Sequence, residues 1–345
     1  KNIDWANLGF GYVQTDKRFV ANYKDGAWDE GTLTEDPNVV LNECAGVLQY
    51  AQTVFEGMKA YRTEDGRVVC FRPDLNASRM ADSAKRLEMP AFPEDRFVKA
   101  VEETVRANAG FVPPYGSGAT LYIRPYMFGT NPVIGVKPAD EYQFRMFCTP
   151  VGPYFKGGAK PITIKVSDFD RAAPHGTGHI KAGLNYAMSL HAIVTAHQEG
   201  YDENMYLDAA TRTKVEETGG ANFIFVTKDG TVVTPKSNSI LPSITRRSLM
   251  VVAEKYLGLK VEHREVYFDE VKDFAECGLC GTAAVISPVG KINDHGKEIC
   301  FPSGMEKMGP VIQKLYDTLT GIQMGRIEGP EGWLKVIELS LIHIS

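Results

Sequence analysis

Residues 171–190 read Arg171-Ala-Ala-Pro-His-Gly-Thr-Gly-His-Ile-Lys181-Ala-Gly-Leu-Asn-Tyr-Ala-Met-Ser-Leu190, which places one lysine in a glycine-rich stretch. The glycines allow a positive φ or a close approach of the backbone to a ligand. From Asn185 to Gly200 the apolar residues follow a helical period, so Lys181 is predicted on a loop that leads into a helix. A desolvated lysine in such a setting can form a Schiff base with a carbonyl group. A lysine on a flexible surface loop fits the same window equally well.

The bulk composition restricts the class of protein. The chain has 345 residues, of which 43% are hydrophobic and 23% are charged, and its net charge is −5. This length predicts two domains of a soluble globular protein. Scattered basic residues and a negative balance argue against a nucleic acid or a membrane as partner and favour a small-molecule ligand. Six irregularly spaced cysteines predict no disulfide framework. With no apolar run long enough to span a membrane and no visible export signal, we expect a cytoplasmic protein.

The first part of the chain has the pattern of a small N-terminal α/β domain, residues 1–151. Two Asp-Gly turns, at 25–26 and 65–66, follow strand-like segments and are typical of β-hairpins. The apolar periods then predict two helices, followed by two segments rich in aromatic and β-branched residues. The predicted strands are 19–23, 58–61, 68–71, 119–127 and 142–149, and the predicted helices are 76–87 and 94–109.

A break in composition predicts the domain boundary. Residues 150–161 contain three prolines and three glycines, so 152–161 is predicted as an interdomain loop. The larger C-terminal domain is predicted at 162–338, with strands at 162–166, 222–227 and 231–234. Its helices are predicted at 244–257, capped by Ser243, and at 305–319. The apolar residues 339–345 continue no periodic pattern and are predicted to be a non-native or disordered tail.

Three features have the chemistry to bind an anion such as a phosphate. The helix start at 241–245 presents unpaired backbone N–H groups at a positive dipole end. The turn at 281–284 consists of small residues and carries one hydroxyl group. Arg79, among small residues of a predicted helix, could bind a phosphate through two donors. Each feature also has an ordinary explanation: a capped helix, a plain turn and a solvated arginine.

Two further groups could contact the rest of a ligand. Glu216 and Glu217 stand just before a glycine-rich entry to a strand, where a carboxylate can hold a ring nitrogen protonated; two solvated loop glutamates are the alternative. Arg124 lies mid-strand at the same parity as Tyr122, among aromatic residues that could line an apolar pocket. Core packing explains the aromatic residues equally well but does not explain a mid-strand arginine.

Two constellations do not support a metal site. Cys277 and Cys280 have the spacing of zinc or redox cysteines, but no second pair at a suitable spacing accompanies them, so buried thiols are expected. His175 and His179 are four residues apart, but the intervening Gly-Thr-Gly is incompatible with the helix that would align them. No metal is therefore expected.

Taken together, these motifs resemble the branched-chain-amino-acid aminotransferases of the fold-type-IV pyridoxal-phosphate family. The resemblance extends from about residue 9 to residue 338. Its motifs, in family order, are Phe55-Glu-Gly-Met-Lys-Ala-Tyr-Arg62, Leu121-Tyr-Ile-Arg-Pro125, Lys181-Ala-Gly-Leu-Asn-Tyr186, Glu217-Thr-Gly-Gly-Ala-Asn222, Leu241-Pro-Ser-Ile-Thr245 and Gly281-Thr-Ala-Ala284. The resemblance implies a two-domain α+β / α/β fold like that of D-amino-acid aminotransferase, with a small N-terminal α/β domain and a larger C-terminal pseudo-barrel domain.

The resemblance also implies the roles of individual residues. Lys181 would form the Schiff base with pyridoxal 5′-phosphate and move the proton in transamination. Glu217 would pair with the pyridine nitrogen and Tyr186 would contact the phenolic oxygen. The phosphate would be held by Arg79, Ile244, Thr245 and Thr282. On the substrate side, an apolar wall would be formed by the aromatic residues Phe10, Tyr50, Phe55, Tyr122 and Tyr154. Arg124 would bind the distal carboxylate, and backbone amides near Gly220 and Ala283 would bind the α-carboxylate.

By the same resemblance, the protein would transfer the amino group of L-leucine, L-isoleucine or L-valine to 2-oxoglutarate. It would act as a homodimer, or as a larger assembly of dimers. Other transaminases of the same fold, for D-amino acids or amines, and aminodeoxychorismate lyase remain alternatives, although Tyr122-x-Arg124 and the Phe55 motif argue against them. A non-catalytic binding protein is a further alternative, which the intact lysine, glutamate and phosphate set disfavours.

Overall fold

The computed structural model of the chain describes residues 1–155 and 158–339. These residues form two compact units. The first comprises Lys1–Tyr154, Lys181–Gly183 and the described residues from Ile322 onward, and the second comprises the described residues of Phe155–Ile180 and Leu184–Gly321. Of the tail predicted at 339–345, only Leu339 is among the described residues, so that prediction lies outside them.

Seventeen strands, six α-helices and three short 3₁₀ helices make up the regular structure of the described residues. The strands are β1 Arg18–Lys24, β2 Ala27–Trp28, β3 Thr32–Thr34, β4 Thr53–Phe55, β5 Met58–Arg62, β6 Val68–Phe71, β7 Thr120–Gly129, β8 Tyr142–Val151, β9 Ile162–Val166, β10 Glu203–Met205, β11 Asn222–Val226, β12 Val232–Pro235, β13 Val261–Arg264, β14 Glu276–Gly281, β15 Val285–Asp294, β16 Lys297–Cys300 and β17 Leu334–Val336. The helices are α1 Gly46–Tyr50, α2 Pro73–Arg86, α3 Glu94–Ala107, α4 Gly183–Gln198, α5 Ile244–Lys255 and α6 Pro310–Gln323.

The first unit is built on a nine-stranded antiparallel sheet in the order β17-β6-β5-β7-β8-β1-β2, with β3 on β1 and β4 on β7. The amphipathic helix α3 buries one apolar stripe, in which Phe97 contacts Phe144 of β8. This packing explains why the helical period at 94–107 is recognisable in the sequence. The sheet supplies the strands β4 and β7, which carry three candidate residues of this unit: Phe55, Tyr122 and Arg124.

The second unit has an eight-stranded mixed sheet in the order β10-β9-β15-β14-β11-β12-β13, with β16 on β15. Its parallel pairs are β9–β10, β9–β15 and β12–β13. Strand β11 is buried along its whole length, and Phe225 stacks on Phe223 and on Phe274 in the core. The buried β11 fixes the position of the glycine-rich segment that precedes it.

The local patterns predicted most elements correctly. The hairpins β1–β2 and β5–β6 and the cap of α5 are confirmed, since the Ser243 side chain accepts a hydrogen bond from the Arg246 amide at 3.1 Å. The last helix, predicted at 305–319, is confirmed, but its predicted start is too early: α6 begins at Pro310, and Glu276 accepts the Val311 and Ile312 amide N–H groups of its first turn. None of the helices in the described residues has both the length and the apolar composition needed to cross a bilayer.

Candidate active site

Lys181 lies in a short segment of the first unit that is fixed on both sides. Its amide donates to the Ser83 hydroxyl at 3.0 Å, and its carbonyl accepts from the Phe55 amide at 3.1 Å. The next residue, Ala182, forms an antiparallel bridge with Val54. The side chain is half-buried and its Nζ lies 4.8 Å from the centre of the Phe55 ring. The predicted loop before a helix is confirmed, because α4 begins at Gly183, whereas the interpretation as a flexible loop is wrong.

Arg124 lies on β7 against aromatic rings. Its Nη2 donates to the Tyr122 hydroxyl at 2.9 Å, and the guanidinium is 4.8 Å from the Phe55 ring centre and 5.2 Å from that of Tyr122. The Phe10 ring meets Tyr122 edge-on at 5.3 Å. A Cβ on Gly57 would lie 2.2 Å from the Tyr122 hydroxyl, so a larger residue there would displace the Tyr122 side chain.

The guanidinium of Arg124 retains an unused donor. Its buried Nε has no hydrogen-bond partner in the described part of the chain. A buried donor without an acceptor costs free energy, so this position favours an anionic ligand.

Two other predicted wall residues lie on different segments. Tyr50 ends α1, and its hydroxyl donates to the Ile134 carbonyl. Tyr154 is 58% exposed and is the last residue of Lys1–Tyr154, the longest segment of the first unit. The contribution of both residues to a substrate pocket stays a prediction.

Arg79 is buried and paired with a carboxylate that sequence reasoning did not single out. Its Nε donates to Oε1 of Glu56 at 2.8 Å and its Nη2 to Oε2 at 2.7 Å. The two side chains are 8% and 0% exposed, so the interpretation of Arg79 as a solvated helix arginine is wrong. Asn76 adds a third hydrogen bond to Glu56, at 2.9 Å. The pair fixes the plane of the guanidinium.

Glu217 is the most enclosed carboxylate of the candidate set in the second unit. Its Oε1 accepts from Arg171 at 2.9 Å and from the Leu241 amide at 2.8 Å, and its Oε2 accepts from Asn222 at 2.8 Å. Glu217 is 2% exposed and Glu216 is 8% exposed, so the interpretation as two solvated loop glutamates is wrong. Burial raises the pKa of Glu216.

The predicted phosphate elements of the second unit are the start of α5 and the β14–β15 turn. Ser243 caps α5 through the Arg246 amide, and the amides of Ile244 and Thr245 lie in the first turn, where no helix carbonyl reaches them. Thr282 and Ala283 lie in the three-residue tip of the β14–β15 hairpin, residues 282–284. The Gly220 amide already donates to the Thr218 hydroxyl at 3.2 Å.

The remaining residues that the sequence singled out lie on α4, in turns and on β14. Tyr186 is half-buried on α4. His175 and His179 are exposed in turns and not in a helix. Cys277 and Cys280 are free and buried, and burial raises the pKa of Cys280 to about 12. Within residues 1–155 and 158–339 no three His, Cys, Asp or Glu side chains gather as metal ligands.

Comparisons with known proteins identify the family. The family model described as amino-transferase class IV matches residues 53–292. The chain belongs to the class IV aminotransferases. The branched-chain-amino-acid aminotransferase of Haemophilus influenzae is 52% identical over 343 residues, which cover 98% of this chain and 100% of that protein.

Solved structures agree with this assignment to the class IV aminotransferases. The branched-chain aminotransferase of Escherichia coli superposes with a TM-score of 0.79 at 27% identity, over 94% of this chain and 100% of that one. That of Thermobaculum terrenum in its PLP form gives 0.78 at 25% identity, over 94% and 99%. The resemblance to the fold-type-IV branched-chain-amino-acid aminotransferases is therefore confirmed.

Several residues of this class IV aminotransferase were missed by sequence reasoning. Glu56 and Arg171 are the buried partners of Arg79 and Glu217, and each lies inside a motif that was quoted without a role for it. Each partner satisfies a charge that folding buries, since a buried charge requires a partner of opposite sign, and the burial itself is not visible in the sequence. Lys59 was also missed; it pairs in register with Tyr122, and burial lowers its pKa to about 8.

Proposed function

We propose that this class IV aminotransferase transfers the amino group of L-leucine, L-isoleucine or L-valine to 2-oxoglutarate, with pyridoxal 5′-phosphate as cofactor. The products are the branched-chain 2-oxo acids and L-glutamate. The named relatives that match the chain over nearly its whole length support this substrate class.

The observation that carries the proposal is Arg124 with its unused Nε among aromatic rings. The enzyme has to accept an apolar side chain in one half-reaction and a distal carboxylate in the other. Phe55 and Tyr122 offer the apolar surface, and the guanidinium between them offers charge-assisted hydrogen bonds to the carboxylate. Because Arg124 is already held by the Tyr122 hydroxyl, its charge is stabilised while an apolar side chain is bound.

The donor set of the chain fits the cofactor. A buried carboxylate suits a protonated ring nitrogen, and arginine with helix-start amides suits a phosphate. When bound, pyridoxal 5′-phosphate supplies an electron sink for the bond that breaks at Cα of the amino acid. Lys181 Nζ would take the proton from Cα of the amino acid and would release it later in the same half-reaction.

The remaining residues bind and orient. From the first unit, Arg79 binds a phosphate oxygen, and Phe10, Tyr50 and Tyr154 extend the apolar wall. From the second unit, Glu217 would pair with the ring nitrogen and Tyr186 would contact the phenolic oxygen. The phosphate is assigned to Ile244, Thr245 and Thr282, and the α-carboxylate of the substrate is assigned to Gly220 and Ala283.

The proposal extends to partners and domains. Val40, Ile134 and Val136 are more than four-fifths exposed on the first unit, at 92%, 85% and 87%, and such apolar side chains favour a homodimer. The small-molecule partners are amino acids and 2-oxo acids. We propose 1–151 and 162–338 as the two functional domains, joined by the loop at 152–161; of the second, Lys181–Gly183 and the described residues from Ile322 onward belong to the first compact unit.

A substrate panel tests the function. The purified protein with pyridoxal 5′-phosphate should form L-glutamate from 2-oxoglutarate with L-leucine, L-isoleucine and L-valine, and should not with D-alanine. Lys181→Ala should lose the visible absorption of the bound cofactor together with the activity. Activity on D-alanine alone, or an unchanged absorption band in Lys181→Ala, would contradict the proposal.

A further inference from the structure

Arg171 connects three segments of the second unit that carry assigned cofactor residues or lead to them. Its Nη2 contacts Oε1 of Glu217 at 2.9 Å, and its Nη1 donates to the carbonyls of Gly178 and Ser239 at 3.1 and 2.8 Å. Gly178 lies in the loop that leads toward Lys181, and Ser239 lies in the turn before α5. The Arg171 guanidinium therefore bridges two backbone segments and the Glu217 carboxylate, which we call the ring carboxylate because it is assigned to the ring nitrogen of the cofactor.

The contact is buried and directional. The Arg171 and Glu217 side chains are 5% and 3% exposed, so water screens the ion pair little. A guanidinium is planar, and its donors have fixed directions, which lets it restrain both the position and the plane of the carboxylate. A lysine at this position would keep the charge but lose the fixed fork of donors.

The local backbone is built around this guanidinium. A Cβ on Gly178 would lie 2.3 Å from the Ser239 carbonyl oxygen and 3.0 Å from Nη1 of Arg171. Only glycine therefore allows the loop to come close enough for Arg171 to bridge the two carbonyls. This close packing gives a physical reason for one glycine of the Gly-Thr-Gly sequence.

Asn222 and Arg246 hold Oε2, the other oxygen of the Glu217 carboxylate. Asn222 donates through Nδ2 to Oε2 of Glu217, and its Oδ1 accepts from Nε of Arg246 at 3.1 Å. Because Arg246 can only donate, it fixes which way the Asn222 amide points. The carboxylate of Glu217 is thus held from two sides by groups that are themselves fixed.

We propose that Arg171 is the positioning residue for the ring carboxylate, an inference that rests on the proposed function of Glu217. Arg171 holds the Glu217 carboxylate in the orientation that pairs with the ring nitrogen. It also couples that orientation to the loop before Lys181 and to the turn before α5. Arg171 itself acts through Glu217 and needs no contact with substrate.

The test compares two ligands of the cofactor-free protein. One is pyridoxal 5′-phosphate, and the other is its analogue in which carbon replaces the ring nitrogen. Dissociation constants come from quenching of protein fluorescence, for the wild type, Arg171→Met and Arg171→Lys. The matched control is Arg212→Met, which removes the surface arginine that pairs with Asp170 at 3.0 Å.

We expect the wild type to bind the cofactor more tightly than the carbon analogue. Arg171→Met should reduce that preference by about ten- to a hundredfold, the range for a hydrogen bond to a charged group. Arg171→Lys should restore part of the preference, and Arg212→Met should keep it in full. A purely structural role would weaken the binding of both ligands equally and would overturn the proposal.

The outcomes separate this inference from the proposed function. If Glu217→Ala loses the preference and Arg171→Met retains it, the assignment of Arg171 is wrong while that of Glu217 holds. If the wild type itself does not bind pyridoxal 5′-phosphate, or shows no preference, the proposed function or the role of Glu217 fails, and the inference fails with it.

Discussion

The buried pair between Glu56 and Arg79 allows a quantitative prediction for Glu56→Gln. The carboxylate accepts three hydrogen bonds, at 2.8, 2.7 and 2.9 Å, from Arg79 and Asn76. A glutamine side chain has one acceptor oxygen, and its NH₂ group would face donors. The substitution therefore removes the negative charge and most of the hydrogen bonds, and leaves the Arg79 guanidinium buried without its carboxylate.

The expected loss is large because neither partner reaches solvent. Removing one member of a buried ion pair costs about 3–5 kcal/mol in the free energy of unfolding. Replacing both members by apolar residues of similar size, in Glu56→Leu/Arg79→Met, should recover most of that loss. The two single substitutions should thus be far from additive.

The assay is urea unfolding of the cofactor-free protein in phosphate-free buffer. The matched control is Asp65→Asn, which breaks an exposed pair with Arg67 of the same unit at 2.9 Å and should change little. If Glu56→Gln is no more destabilising than Asp65→Asn, or if the double variant loses the sum of the two single losses, the reasoning about burial is refuted.

Three further predictions concern stability and reactivity. Burial lowers the pKa of Lys59 from 10.5 to about 8, so between these pH values the unfolded chain binds more protons than the folded one, and the free energy of unfolding rises with pH by at most about 3 kcal/mol. Lys59→Met should be more stable than the wild type at pH 7 and should lack this rise. Urea midpoints of the two proteins that change equally with pH would contradict the prediction. Gly178→Ala should lower the thermal midpoint through a clash with the Ser239 carbonyl costing about 1–3 kcal/mol, whereas Gly135→Ala, with open space around it, should not; equal midpoints would disprove the clash. A thiol reagent should modify the exposed Cys300 in the native protein and spare the four buried cysteines, since burial keeps those thiols protonated; mass spectrometry that finds a buried cysteine labelled under native conditions counts against it.

Local chemistry in the sequence predicted what depends on neighbouring residues. The Asp-Gly turn between β5 and β6 and the serine cap of α5 are both encoded within a few positions, and the structure confirms both. The motifs in family order led to the correct family. The sequence also placed Arg124 and Tyr122 at the same parity along one strand, and in the structure their side chains form a hydrogen bond.

Contacts between distant residues were not predictable in the same way. Nothing in the local pattern links Glu217 to Arg171, because the helix α4 and the strand β10 lie between them along the chain. The burial of Glu216 and Arg79 was also missed, since exposure depends on packing that a period does not report. The start of α6 was misplaced because its first amide groups are capped by Glu276 of strand β14 and not by a residue that is close in sequence.

The strand β17 has a consequence for the synthesis of the chain. It pairs with β6, and Trp333 beside it packs edge-on against Phe71. During translation, the whole second unit is synthesised before β17, so the edge of β6 stays unpaired until β17 has left the ribosome. A fully buried strand with an open edge is a template for aggregation, so nascent chains that stall before residue 334 should depend on chaperones more than the finished protein does.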